Sequence, residues 1–143
     1  MSNLKLFMKK NKQVRENEKF AVTKDLVDEN GNALEWEIKP ITTKENERIQ
    51  NECIQEIPIK GQRGQFRQKL NTSKYGQKLI VASVVFPDLN NAELQDSYGV
   101  TNPEDLILEM IDNPGEFATF QKFITEYNGF TTSFEEEVDE AKN

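Results

Sequence analysis

Residues 18–40 read EKFAVTKDLVDENGNALEWEIKP, and this stretch sets the fold class. Phe20, Val22 and Leu26 share one parity, as do Leu34, Trp36 and Ile38, with Asn30-Gly31 between the two runs. Period-two alternation on both sides of a turn pair predicts a β-hairpin. A two-residue Asn30-Gly31 turn would pair Leu34 with Val27 and Trp36 with Asp25, splitting the apolar set over both faces. A three-residue loop, Glu29-Asn30-Gly31, pairs Leu26 with Leu34 and Val22 with Ile38, and gives Gly31 the left-handed position of a bulge. The second register is the expectation. Trp36 on that face reads as core rather than as a ligand platform, because large aromatics are mostly buried.

Outward from the hairpin the text turns helical. Thr42 followed by Glu45 is a capping box, and Ile49, Cys53, Ile54 and Ile57 give the helix an apolar stripe that Pro58 stops. Residues 58–72, PIKGQRGQFRQKLNT, read as a long exposed loop rich in Gly, Gln and base. Thr72 or Ser73 then caps residues 74–86. Their apolar run suits a buried strand or a buried helix, and the length and the caps favour helix. Asn90 with Glu93 opens a short helix that closes at Tyr98-Gly99. Asn102-Pro103-Glu104-Asp105 opens another, ending near Asp112, with proline at the first helical position and acids at the positive end of the dipole. Asn113-Pro114-Gly115-Glu116 repeats the device. Phe117, Phe120, Ile124 and Tyr127 form the stripe of this last helix, Gly129 ends it, and Phe130 can fold back. Before the hairpin, residues 3–15 read either as a short amphipathic helix carrying Leu4, Phe7 and Met8 or as a frayed basic terminus. The fold class is therefore α+β: an N-terminal hairpin packed on about four to five helices. Residues 1–130 make one domain, followed by an acidic tail, 131–143, read as disordered.

Composition mostly excludes. The chain has 143 residues, 36% hydrophobic and 30% charged, enough for one ordinary domain that buries roughly 70% of its unfolded surface. No apolar run approaches the about 18 residues of a membrane span, and the lysine-interleaved start lacks a secretory core, so the expected location is cytoplasmic. The lone Cys53 cannot make an internal disulfide and reads as a small buried apolar residue. With no histidine, the chain lacks Ser-His-Asp and Cys-His machinery and His-ligated zinc. The acids at Glu104, Asp105, Glu109 and Asp112, and at Glu135 to Glu137, lack the alternating ligands and central glycine of a calcium loop. An enzyme is the poorest reading, and no cofactor is implied.

Charge is uneven. Residues 1–15 carry five Lys or Arg and no acid, residues 57–87 carry six and no acid, and residues 88–143 carry fourteen acids against Lys122 and Lys142. Such asymmetry signals internal complementarity or a polar partner surface. Gly61-Gln-Arg-Gly64, beside Phe66 and Arg67, is the one patch resembling a nucleic-acid loop, with Lys60, Arg63, Arg67 and Lys69 as its candidate contacts. The net charge of −7 repels phosphate, so a loop that orders on a protein partner is favoured over nucleic acid.

Residues 84–100, VVFPDLNNAELQDSYGV, carry a more specific signal. With Asn17-Glu-Lys-Phe-Ala-Val and Glu35-Trp-Glu-Ile38 upstream, and Asn113-Pro-Gly-Glu-Phe117 and Tyr127-Asn-Gly-Phe130 downstream, the text from 1 to 130 resembles the XkdN-like tail assembly chaperones of phages and prophages. The resemblance implies a non-enzymatic protein of the bacterial host cytoplasm. Such a protein binds the tape measure protein during tail morphogenesis, leaves as tail tube subunits polymerise, and is absent from the mature tail. It also implies a longer frameshifted product, and leaves a homo-oligomer open. It supplies no site motif. The break at Pro87 suggests that Phe86, Leu89, Leu94 and Tyr98 rim a partner groove, against the plainer reading that they pack the helix corner. Rival readings are a structural tail component and a nucleic-acid-binding regulator using residues 60–78.

Overall fold

The computed structural model describes residues 3–130. Its elements are β1 (Glu18–Ala21), β2 (Glu35–Ile38), α1 (Thr43–Glu52), β3 (Ile54–Pro58), β4 (Phe66–Leu70), α2 (Thr72–Ser83), β5 (Val84–Phe86), α3 (Ala92–Ser97), α4 (Pro103–Met110) and α5 (Pro114–Tyr127). This is the expected α+β architecture, with five helices.

The packing centres on α5. Asn113 caps it, its Oδ1 accepting the Gly115 and Glu116 N–H groups at 2.9 and 3.1 Å. Of its buried residues, Phe120 meets the inner face of the β1–β2 hairpin, and Ile124 lies in the same core near Leu79 and Ile80 of α2. Phe20 lies parallel to Phe123 at 4.3 Å and to Phe120 at 5.8 Å, and the Trp36 ring meets Phe120 edge-on at 5.8 Å. Leu79 and Ile80 of α2, Leu106, Ile107 and Met110 of α4, and Ile49 of α1 complete the core. At the far end of α5 the Gly129 and Phe130 N–H groups bond to the Glu126 and Thr125 carbonyls, both at 3.0 Å. The left-handed Gly129, with φ of +83°, makes that reversal possible.

The hairpin register is half as expected. At the tip, the Leu34 N–H bonds to the Leu26 carbonyl at 2.8 Å, and Asp28 bonds to Asn32 across the three-residue loop with Gly31 left-handed. Further down, Phe20 pairs with Trp36 and Glu18 with Ile38, so the expected Val22–Ile38 pair does not form. Residues 22–25 bulge out of the ladder, and Val22 and Thr23 are buried against the body. Two long-range bonds draw them out. Glu116 at the start of α5 accepts the Thr23 hydroxyl and the Lys24 N–H, both at 2.8 Å.

Several expectations are corrected. α1 has its Thr42–Glu45 capping box but stops at Glu52, and the expected loop after it is a hairpin. Ile54 pairs with Leu70 and Pro58 with Phe66, so Ile54 and Ile57 belong to a strand rather than to a helix stripe. Because most of these strand residues are exposed, no apolar alternation marked them. The helix expected over 74–86 spans Thr72–Ser83, with Asn71 as the cap, and then straightens into β5 against β2. Val84 and Val85 are β-branched and Phe86 precedes proline, both unfavourable for a helical turn. α3 is capped by Asn91 rather than Asn90, whose N–H bonds to Asp88 Oδ1 at 3.0 Å instead. Residues 3–15 form two short 3₁₀ turns, Asn3–Phe7 and Lys9–Asn11, with nothing buried, in place of an amphipathic helix. The acidic segment 131–143 lies outside the described residues.

Because Phe120 is fully buried between the hairpin and the helices, Phe120→Ala is expected to cost about 3–5 kcal/mol in urea unfolding. Phe66→Ala on the exposed hairpin should stay within about 0.5 kcal/mol.

Candidate partner-binding surfaces

The corner between β5 and α3 holds the four apolar residues singled out in the sequence, and it separates them. β5 is a three-residue edge strand whose Val84 and Phe86 pair with Ile38 and Glu37. Phe86 is 64% exposed and its neighbour Val85 42%. Leu94 and Tyr98, on the turn-and-a-bit of α3 and its cap, are half-buried against the core. Leu89 is 3% exposed and lies within the core, its carbonyl held by Gln95 Nε2 at 2.9 Å. Phe86 and Val85 thus form the outward apolar surface, Leu94 and Tyr98 border the body, and Leu89 packs beneath. Val85 was missed because its outward direction follows only once the run is a strand.

The four basic candidates all ride on the β3–β4 hairpin. Lys60 and Arg63 sit in its tip, where Gly61 and Gly64 both have positive φ, and Arg67 and Lys69 lie on β4. All four are exposed, and none makes an ion pair among the described residues. Phe66 and Ile54, on the opposite face of the ribbon from Arg67 and Lys69, are 55% and 40% exposed. Lys78 behaves differently. It bridges Glu52 at 3.5 Å and Glu104 at 3.3 Å, tying α2 to the end of α1 and to the start of α4. Burial works to lower its pKa, but the hydrogen bond to Glu104 and the two carboxylates outweigh it and hold it above the ordinary lysine value.

A groove that sequence reading did not anticipate runs between the 22–25 bulge and the start of α5. It encloses about 650 Å³ over Phe20, Ala21, Val22 and Ala33, with Glu116 and Thr119 on its helical side. The bulge creates it, and nothing in the periodicity marked the bulge. The Lys24 N–H, then the Thr23 hydroxyl, hold the Glu116 carboxyl below its ordinary range.

Little here suits covalent chemistry. Burial raises the pKa of the Cys53 thiol, which is 1% exposed, so it stays protonated and unreactive near neutral pH. Among the described residues no group of His, Cys, Asp or Glu is arranged to hold a metal ion, and no helix is long and apolar enough to cross a membrane.

Comparison with known proteins gives a consistent result. Residues 4–142 match the family model of the phage XkdN-like tail assembly chaperone proteins, a span that runs past Phe130 into the acidic end. The chain is similar to the phage-like element PBSX protein XkdN of Bacillus subtilis (strain 168), with 28% identity over 125 residues, covering 87% of this chain and 83% of that one. It is also similar to the uncharacterized protein YqbN of the same organism, with 27% identity over 122 residues, covering 85% and 80%. The crystal structure of YqbN has the same fold, with a TM-score of 0.74 at 22% identity over 91% of this chain and 98% of that one.

The latch at Glu116 predicts a pH signature. A carboxyl whose folded pKa is lowered contributes fully above its ordinary value of 4.5 and loses that contribution as pH falls through the folded value. Glu116→Gln should therefore be less stable than wild type at neutral pH in urea unfolding. The gap should narrow as the medium is acidified, and a gap unchanged at about pH 2 would contradict the latch.

Proposed function

We propose that this chain, which belongs to the phage XkdN-like tail assembly chaperone family, binds the tape measure protein during tail morphogenesis and leaves before the tail is complete. The family match over nearly the whole chain carries the reading. Physical chemistry supports it. A tape measure protein that waits for its tube is a long helical rod with an apolar stripe open to water, an aggregation hazard. A chaperone for it needs an accessible apolar surface that binds reversibly, with charge around it. Exposed Phe86 and Val85 offer such a surface, and the cations of the β3–β4 hairpin, unpaired among the described residues, offer a second, polar contact.

In this reading the protein catalyses nothing and works in the cytoplasm of the bacterial host. Growth of the tail tube displaces it, and contacts with tube protein and with a longer frameshifted form of itself accompany that hand-over. A side chain the size of phenylalanine is worth about 1.5–3 kcal/mol when buried.

Phe86→Lys places a cation opposite Glu37, which preserves the strand pair while removing the apolar contact. Co-expressed with the tape measure protein of the same phage element, this variant should fold normally by circular dichroism and capture that protein about tenfold less well or worse. Undiminished capture overturns the assigned surface. Recovery of the wild-type protein in finished tails at the stoichiometry of a tail component overturns the chaperone reading and favours a structural role.

A further inference from the structure

The N-terminal residues present a second problem of exposed apolar surface, far in sequence from β5. Leu6, Phe7 and Val14 are 70%, 84% and 88% exposed, and neither 3₁₀ turn of this segment buries a residue. The segment is nevertheless held in shape by its own backbone, with the Asn11 N–H on the Met8 carbonyl at 2.9 Å and the Lys12 N–H on the Lys9 carbonyl at 3.1 Å. Its base is fixed to the body. Arg15 Nη2 donates to the Ile41 carbonyl at 2.7 Å, and the Tyr127 hydroxyl donates to the Glu16 carbonyl. Residues 3–14 therefore form an arm with an anchored root and an apolar, basic tip.

The groove beside Glu116 is the matching socket. Its floor of Phe20, Ala21, Val22 and Ala33 is apolar, its volume of about 650 Å³ admits a phenyl ring with its neighbours, and no residue of the arm lines it. The charges also match. Residues 1–15 carry five cations and no acid. At the socket, Glu116 is on the wall, Asp25 follows Lys24 on the bulge, and Asp112 precedes the Asn113 cap. Of the residues that line the groove, Glu116 and Lys24 carry charge, and Lys24 is the cation.

We propose that this arm docks into the groove of a second copy of the chain, with Phe7 entering over Phe20 and Val22 while the arm's lysines face Asp25, Asp112 and Glu116. Each copy carries one plug and one socket, so reciprocal exchange closes into a two-fold dimer. The arm's own turns hold Phe7 out in water, so the occupant of a groove is the partner copy's arm rather than the copy's own. Acidic margins steer the basic arm, and burial of the ring supplies the affinity. This proposal stands apart from the tape measure reading.

Sedimentation velocity of the full chain from about 1 to 200 µM tests it. Wild type is expected to shift from monomer to dimer, with dimerisation weakened several-fold by raised salt. Phe7→Asp removes the plug, and Thr119→Arg, at an exposed position on the groove wall, blocks the socket. Each should weaken dimerisation about tenfold or more, which is one buried aromatic ring expressed as an equilibrium constant. Phe7 has no packing to lose, so its variant remains a fair test if Thr119→Arg disturbs α5. A wild type that stays monomeric throughout overturns the proposal, whether the arm is free or folded onto its own groove. So does a dimer indifferent to Phe7→Asp, and so does a Thr119→Arg variant that loses a foreign partner while self-association is unchanged.

Discussion

The stacking of Phe20 against the rings of α5 is the contact on which the rest of the body depends. It fixes the face that the β1–β2 hairpin turns inward, and Trp36 and Ile38 follow into the core with it. Aromatic pairs in this offset geometry contribute about 0.5–1.5 kcal/mol beyond area burial. Their greater effect is directional. A ring held on both sides cannot slip by one residue without turning every neighbour to the wrong face. The price of that fixed seat is the displaced segment at 22–25, which Glu116 then ties down.

Electrostatics divides along the same lines. Half-buried Lys78 is shared by two carboxylates and joins three helices. Its worth lies in geometry, since partly exposed pairs contribute little net energy. The cations of the β3–β4 hairpin and the lysines of residues 3–14 make no ion pair among the described residues. The asymmetry visible along the chain is thus partly internal complementarity, at Lys78, and partly charge on projecting elements that is unpaired among the described residues.

Local chemistry made much of this fold legible in the sequence. The Thr42–Glu45 box, the Asn102 and Asn113 caps, the Gly99 and Gly129 stops and the Asn30-Gly31 turn each occupy their expected places, because caps and turns are written in a few adjacent residues. Misreadings arose where distant contacts decide. The Leu79-to-Phe86 run is apolar throughout, so its change from helix to strand depends on β2 lying alongside. β3 and β4 carry no alternation, since most of both ribbon faces is exposed. The groove was invisible because it exists only where Glu116 meets a segment some ninety residues earlier. Of the four residues proposed for the corner, spacing could not tell buried Leu89 from open Phe86.

The β3–β4 ribbon leaves and rejoins the body at one point, where the Asn71 N–H meets the Cys53 carbonyl at 2.8 Å. That clasp closes the loop for the helices on either side, whatever lies beyond it. The ribbon is thus an excursion that can grow, shrink or change composition while the helices keep their places. Residues of the ribbon can change without moving the core, whereas the aromatic seat beneath the first hairpin is locked by rings on both elements.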